Sequence, residues 1–516
     1  MLVHEFIEQS AEKFPDKTAL VCEGGRFTFS DLEASANRLA HCLLDAGLNK
    51  LDRVAIFLEP CPDAVVSIFG ALKAGCVFVV VNPQVKPKKL AYILNDCQVR
   101  CLVTDAGHFK DIASMPTAFP HLKLIIVSDF EQNPVDRSSS RGSRLVSYPE
   151  LMRSFPPHRP RLSCIDMDLA SLIYTSGSTG IPKGVMLTHL NMVTAAESII
   201  RYLENTPDDI IMDVLPLSFD YGLYQVLMAF RFGGTVILEK SFLFPYRTID
   251  LMIREKGTGF PIVPAMAAVL FTLKNLKERD FSSLRYITST GQALPPVYID
   301  RLRNLFPRAK LYSMYGLTEC KRVSYLFPEE IDSRPLSVGK AIPNTETYIV
   351  DEEGKKIDRP GIVGELVVRG SHVMKGYWNL PEETEKSLKP GPLPYEKILY
   401  TGDLFKLDEE GFLYFVSRKD DLIKVGAGRV SPREVENTLH EMADIEEAAV
   451  VGVDHKILGQ AVKAFVVLKK GSAATAEDIF KHCASRLENF MVPKSIEFRQ
   501  SLPRSAHGKI DKKGLK

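Results

Sequence analysis

The sequence predicts an α/β protein in two parts. Residues 1–419 form a large N-terminal domain of two βα-layered subdomains plus a small β subdomain. Residues 420–516 form a small α+β C-terminal domain. Three observations predict this. A chain of 516 residues is too long for one core. Short apolar runs alternate with helix-like stretches over residues 15–150 and again over 165–330, the rhythm of a largely parallel sheet covered on both faces. Over 335–415 the chain reads instead as short strands separated by Gly, Pro and Asp turns.

The elements follow in order. Ser30-Asp-Leu-Glu33 has the capping-box pattern and opens a helix with Leu32, Leu39 and Leu43 on one face, stopped by Gly47. Val54–Leu58, Val77–Val81, Cys101–Thr104 and Leu124–Val127 read as buried strands. Asp136 to Arg144 has no apolar residue and reads as a mobile surface loop. The apolar run from Leu169 to Ile173 reads as a strand. Thr347–Val350, Gly364–Arg369, Ile398–Thr401 and Phe412–Val416 are the strands of the β subdomain. Beyond the expected boundary near Asp420, Ser431 caps a helix with Pro432 at its first position. Ile445–Val453 and Val462–Leu468 read as strands, and Thr475 opens a second helix. The end, Pro503 to Lys512, is polar and reads as flexible.

Composition excludes several classes. Apolar content of 45% and charged content of 25% describe an ordinary globular protein. The 65 basic and 64 acidic residues leave a net charge of +1, so the whole protein has no reason to bind nucleic acid or an anionic membrane. Nine scattered cysteines without a CxxC pair imply a reduced, cytoplasmic protein. Glu5, Glu8 and Glu12 argue against a presequence, and no apolar run is long enough for a membrane span.

The stretch with chemistry in it is Tyr174-Thr-Ser-Gly-Ser-Thr-Gly-Ile-Pro-Lys183-Gly184. It follows the Leu169–Ile173 strand and concentrates glycines and hydroxyls. Gly177 and Gly180 let backbone N–H groups approach a ligand closely, and successive N–H groups form an anion site. Thr175, Ser176, Ser178 and Thr179 add donors, and Lys183 adds a charge. The ligand this suits is a nucleotide phosphate chain. It is not a Walker loop, because Pro182 and Gly184 stand where that pattern needs Gly and a hydroxyl.

Three further stretches stand out. In Met314-Tyr-Gly-Leu-Thr-Glu-Cys320, Tyr315 offers a ring for a purine, beside Gly316. Glu319 is the candidate Mg²⁺ carboxylate, with Thr318 near the phosphates. In Tyr400-Thr-Gly-Asp403, Asp403 by itself reads as a turn residue. Lys509 follows a glycine near the chain end.

Together these motifs resemble the adenylate-forming superfamily: acyl-CoA synthetases, luciferases and the adenylation domains of nonribosomal peptide synthesis. The resemblance covers nearly the whole chain. It implies that ATP and Mg²⁺ convert a carboxylic acid to acyl-AMP with release of pyrophosphate, and that a phosphopantetheine or CoA thiol then takes the acyl group. It assigns Lys509, Thr175, Lys183 and Glu319 to charge stabilisation, the Asp403 carboxylate to two ribose hydroxyls, Arg418 to the ribose and Asp420 to a hinge. The small domain is mobile in this reading. Its rotation withdraws Lys509 and brings in the loop from Lys424 to Gly428. The glycines of that loop are displaced from the usual family pattern, which leaves the thiol tunnel open to question.

For the acid, Asp220, Tyr221 and Tyr224 resemble the pocket of amino-acid adenylation domains, with Thr290, Gly291, Met314 and Arg322 as further lining. A bare buried carboxylate is costly unless paired, so Asp220 predicts an ammonium on the substrate. The first expectation is a small amino acid, proline-like or β-amino, loaded onto a carrier protein. The alternative is an acyl-CoA ligase for an unaminated acid. Arg322 suits a second substrate carboxylate, and equally a pairing with Asp220 or a place on the surface.

Overall fold

The computed structural model describes residues 1–515 apart from 24, 116, 131–141, 177–180, 426–427, 456–457 and 505–509. Two large sheets dominate the first 340 residues. In one, the parallel strands Leu169–Ser176, Val77–Val80, Arg53–Phe57, Val99–Thr104, Leu124–Val127 and Arg144–Ser147 lie side by side. Pro182–Thr188 and Gly376–Tyr377 extend it antiparallel. In the other, Lys310–Tyr315, Tyr286–Ser289, Gly259–Ile262, Ile210–Asp213, Thr235–Leu238 and Thr18–Cys22 are parallel, with short antiparallel edges. Val54, Ala55 and Ile56 have no exposed surface, so both faces of that strand are covered, as its unbroken apolar run requires.

Sheet membership does not follow chain order. Thr18–Cys22 pairs with Thr235–Leu238 in the second sheet. Leu169–Ser176 pairs with Val77–Val80 in the first, so the strand that ends at Ser176 joins the first sheet rather than a separate sheet of 165–330. A uniformly apolar strand reports that it is buried but carries no label for its partner.

Two local readings are corrected. The helix Phe29–Asp45 is capped by Thr28, not Ser30: the Thr28 hydroxyl accepts from the Asp31 N–H at 3.1 Å and the Asp31 carboxylate accepts from the Thr28 N–H at 3.0 Å. Two capping patterns overlap here, and the one with the extended residue at the chain's entry wins. Most of the expected Asp136–Arg144 loop lies outside the described residues, but Arg144 opens a strand and pairs with Asp45 at 2.8 Å.

Residues 345–418 form an antiparallel sheet of Thr345–Val350, Gly364–Gly370, Lys397–Leu407 and Leu388–Pro390, with Leu413–Arg418 paired to the long strand. That strand runs on through Gly402 and Asp403, past the expected end at Thr401, because Leu413–Arg418 pairs along it. A short turn, Lys419–Asp421, leads to a further sheet built on Ile445–His455 and Gly459–Leu468, with helices Pro432–His440 and Ala476–Ala484. Ser431 and Thr475 cap those helices as the sequence implies. Residues 505–509 of the expected flexible end lie outside the described residues, and the parts on either side are held in place. Arg504 bridges to Ile510, and Leu515, only 6% exposed, packs with Leu502 against Ala449, Val451 and Phe465. Leu502, Ile510 and Leu515 supply the apolar contacts there. Among the described residues, no helix is long and apolar enough to cross a membrane.

Candidate active site

A cleft of ≈ 1650 Å³ takes its walls from both large sheets, from the antiparallel sheet and from residues beyond Asp420. Thr175, Lys183, Asp220, Tyr221, Thr290, Gly291, Met314, Tyr315, Gly316, Thr318, Glu319, Arg322, Asp403, Arg418 and Asp420 all line it. Helix Pro432–His440 contributes Arg433, Glu436 and His440. Tyr224 and Lys424 do not line it. Lys424 is exposed, and its amide donates to the Gln460 side chain at 2.8 Å. Gly177, Ser178, Thr179, Gly180 and Lys509 lie outside the described residues, although Ile510, Asp511 and Lys512 border the cleft.

The Tyr174–Gly184 stretch is a hairpin, with Thr175 opposite Lys183 and Ser176 opposite Pro182. Lys183 Nζ is paired with the Glu383 carboxylate from helix Pro381–Ser387 and lies 5.3 Å from the centre of the Tyr377 ring. Lys386 reaches the same carboxylate at 2.5 Å. Hydrogen bonds from the two ammonium groups pull the Glu383 carboxyl down from 4.5 to about 2. A depressed carboxyl stabilises the fold above its unfolded value and loses that contribution as pH falls through its folded value. The stability gap between the native chain and Glu383→Gln is therefore expected to be constant above about pH 4.5. It should close towards pH 2. Calorimetric melting of both proteins across that range checks this.

Elsewhere on the cleft wall, Tyr315 closes the strand Lys310–Tyr315 and donates its hydroxyl to Asp403 Oδ2 at 2.5 Å. Cross-strand pairing sets Asp403 opposite Arg418, whose Nε lies 3.2 Å from Oδ1. Burial, then the Asp403 charge, raises the Tyr315 phenol well above its usual range, so it stays a donor. Phe405 packs edge-on against the Tyr315 ring at 4.9 Å. Gly316 is needed for space, since a Cβ there would stand 2.3 Å from the Lys321 carbonyl oxygen. Glu319 Oε1 accepts from the Tyr377 hydroxyl at 2.7 Å.

The third region lies at the start of helix Asp220–Phe232. Asp220 is 7% exposed and is not bare: Lys321 Nζ lies 3.3 Å from its Oδ2 and donates to its backbone oxygen at 2.8 Å. The ammonium also sits 4.6 Å from the centre of the Tyr224 ring and 5.3 Å from that of Tyr221. Burial pushes Lys321 down to about 7, with Asp220 opposing the shift. Arg322 is 2% exposed, donates from Nη1 to Thr290 Oγ1 at 2.7 Å, and has no hydrogen-bond partner for Nε. Tyr221 is held by its hydroxyl on Thr288, and Met314 Sδ accepts from Tyr202 at 3.0 Å. Asp213, wholly buried nearby on Ile210–Asp213, is pushed well above the usual carboxylate range by burial.

Sequence reasoning missed Lys321 as the partner of Asp220, and Glu383 and Tyr377 around Lys183. Only the first had a local signal, its place beside Arg322. Glu383 sits in an unremarkable acidic helix.

Comparisons with known proteins identify the family. The AMP-binding enzyme profile matches residues 7–378, and the AMP-binding enzyme C-terminal domain matches 434–509. A long-chain-fatty-acid–CoA ligase of Bacillus subtilis (strain 168) is 35% identical over 532 aligned positions, covering 99% of this chain and 94% of that protein. A linear gramicidin synthase polypeptide of Brevibacillus parabrevis is 27% identical over 518 positions, covering all of this chain and 10% of the synthase polypeptide. Among solved structures, ATP-bound MatB from Rhodopseudomonas palustris superposes with a TM-score of 0.88 at 27% identity, covering 100% of this chain and 98% of that one. The Tyr315–Asp403–Arg418 cluster, the strands flanking Ser176 and Lys183, and the buried Asp220–Arg322 region open onto one cleft, and the matches run from Ile7 to beyond the small sheet. The chain belongs to the AMP-binding enzyme family, and it is an AMP-forming acid–thiol ligase that uses ATP.

Proposed function

We propose that this chain activates an unaminated carboxylic acid as acyl-AMP and passes the acyl group to the thiol of CoA. The observation that carries the choice of acid is the Asp220–Lys321 pair. It removes the desolvation penalty that called for an ammonium on the substrate. The long-chain-fatty-acid–CoA ligase, similar over nearly its full length, supports the same choice.

In the first step the acid oxygen attacks the α-phosphorus of ATP, the bond to the bridging oxygen breaks, and pyrophosphate leaves. The protein positions the reactants and stabilises charge. Thr175, Ser176, Lys183 and the loop Gly177-Ser178-Thr179-Gly180 surround the phosphates. Tyr315 stacks on the adenine beside Gly316. Its bond to Asp403 ties the adenine platform to the ribose contacts of Asp403 and Arg418. A Mg²⁺ site of one or two carboxylates plus substrate phosphates fits Glu319, which keeps acceptor capacity after its bond from Tyr377. Bound there with Thr318 close by, the ion neutralises charge on the triphosphate. Lys509 reaches the α-phosphate and the acid. In the second step the thiolate attacks the acyl carbon, a C–S bond replaces the C–O bond to AMP, and AMP departs. The part from residue 420 onward turns at Asp420 between the steps and brings the Lys424–Gly428 loop to the thiol.

A second reading keeps a small amino acid as substrate and a carrier-protein phosphopantetheine as acceptor. Asp220 on the cleft wall favours it, as does the likeness to gramicidin synthase. ATP–pyrophosphate exchange with fatty, aryl, dicarboxylic and amino acids, each followed by thioester analysis with CoA or a phosphopantetheinylated carrier, separates the two. Exchange and acyl-CoA from unaminated acids are expected. Exchange confined to amino acids, and lost in Asp220→Ala, would establish the second reading instead.

A further inference from the structure

The acid end of the cleft holds more positive charge than it neutralises. Lys321 and Arg322 are adjacent and both buried, and Asp220 answers only the first. Among the described residues no carboxylate lies within ion-pair distance of Arg322. Its contacts are neutral: the Thr290 hydroxyl at 2.7 Å, the Tyr202 hydroxyl, and the Tyr221 ring, whose centre is 5.5 Å from the guanidinium carbon. Burial holds the Asp213 carboxyl well above its usual range, and it forms no ion pair with Arg322. A buried lysine can relieve such a site by losing its proton. An arginine cannot, so a buried guanidinium has to find an anion or remain costly. Arg322 nevertheless borders the cleft, with Nε unpartnered, beside Thr290, Gly291 and Met314.

We propose that Arg322 receives a second carboxylate of the acid substrate, so that the enzyme activates dicarboxylic acids. One carboxylate goes to the α-phosphate, and the other docks on the guanidinium, with Thr290 holding the guanidinium in orientation. The apolar walls near this end, Pro264, Ala265 and Ala268, suit the methylene chain between the two. The inference rests on the adenylate-forming reading above and narrows its substrate class.

The test is ATP–pyrophosphate exchange by the full chain on matched pairs, each α,ω-dicarboxylate from malonate to adipate against the monocarboxylate of equal carbon number. A charged hydrogen-bonded contact predicts a kcat/KM for the best dicarboxylate roughly 10- to 150-fold above that of its partner. Arg322→Met, close in length and apolar, should abolish that preference through KM, and Arg322→Lys should keep part of it. Should the buried substitutions fail to fold, the wild-type pairs decide alone. Exchange with monocarboxylates that equals or exceeds their partners overturns the inference and leaves the adenylation reading standing, as does an undiminished dicarboxylate preference in Arg322→Met. Exchange with no acid of either kind overturns both.

Discussion

Replacing Lys509 with alanine is expected to slow acid-dependent ATP–pyrophosphate exchange by roughly 100- to 1000-fold, the loss typical of removing one preorganised charge-stabilising donor. The developing negative charge on the α-phosphate and the incoming carboxylate lies in a cleft partly shielded from water, where a fixed ammonium acts strongly. Transfer from a synthetic acyl-adenylate to the thiol should keep most of its rate, since that step follows withdrawal of the residue. Neighbouring Lys512 provides the control. It already pairs with Glu436 at 2.6 Å, so Lys512→Ala should leave exchange within a few-fold of normal. Equal losses in both half-reactions, or none in the first, would contradict the assignment. Single-turnover measurements of each half-reaction separate these outcomes.

Lys321→Met is expected to destabilise the fold by about 3–5 kcal/mol, because it strands the buried Asp220 carboxylate. Removing both charges in Asp220→Asn/Lys321→Met should recover most of the loss, since replacing a buried ion pair with uncharged groups is often nearly neutral. Urea unfolding of the two single variants and the double variant measures the coupling. If the single and double variants are equally unstable, the pair is not what holds Asp220 in place. The same set bears on substrate choice. A carboxylate reserved for a substrate amine should tolerate loss of Lys321 in stability and fail in amino-acid exchange.

Much of this site could be read from local sequence. The glycine-hydroxyl stretch at 174–184, Tyr315, Glu319, Asp403 and Arg418 were all identifiable. Each sits in a short motif whose chemistry depends on neighbours along the chain, and the described ones converge on one cleft. The amine inference from Asp220 rested on the premise of an unpaired carboxylate. Its counter-ion lies 101 positions away, across a different strand, where spacing along the chain carries no information. The same limit hid Glu383, which meets Lys183 from a helix 200 residues further on.

By itself, the sequence determined which strands are buried and, through its resemblance to a known superfamily, that a carboxylic acid is activated through AMP. Periodicity and contiguous motifs are properties of neighbouring residues, so they survive without a fold. Only the tertiary structure decided that the hairpin strands belong to the first sheet, that Asp220 is already paired with Lys321, and that Arg322 is a buried cation with no carboxylate in ion-pair distance among the described residues. Those are matters of distance through space, set by which faces bury one another rather than by any local pattern.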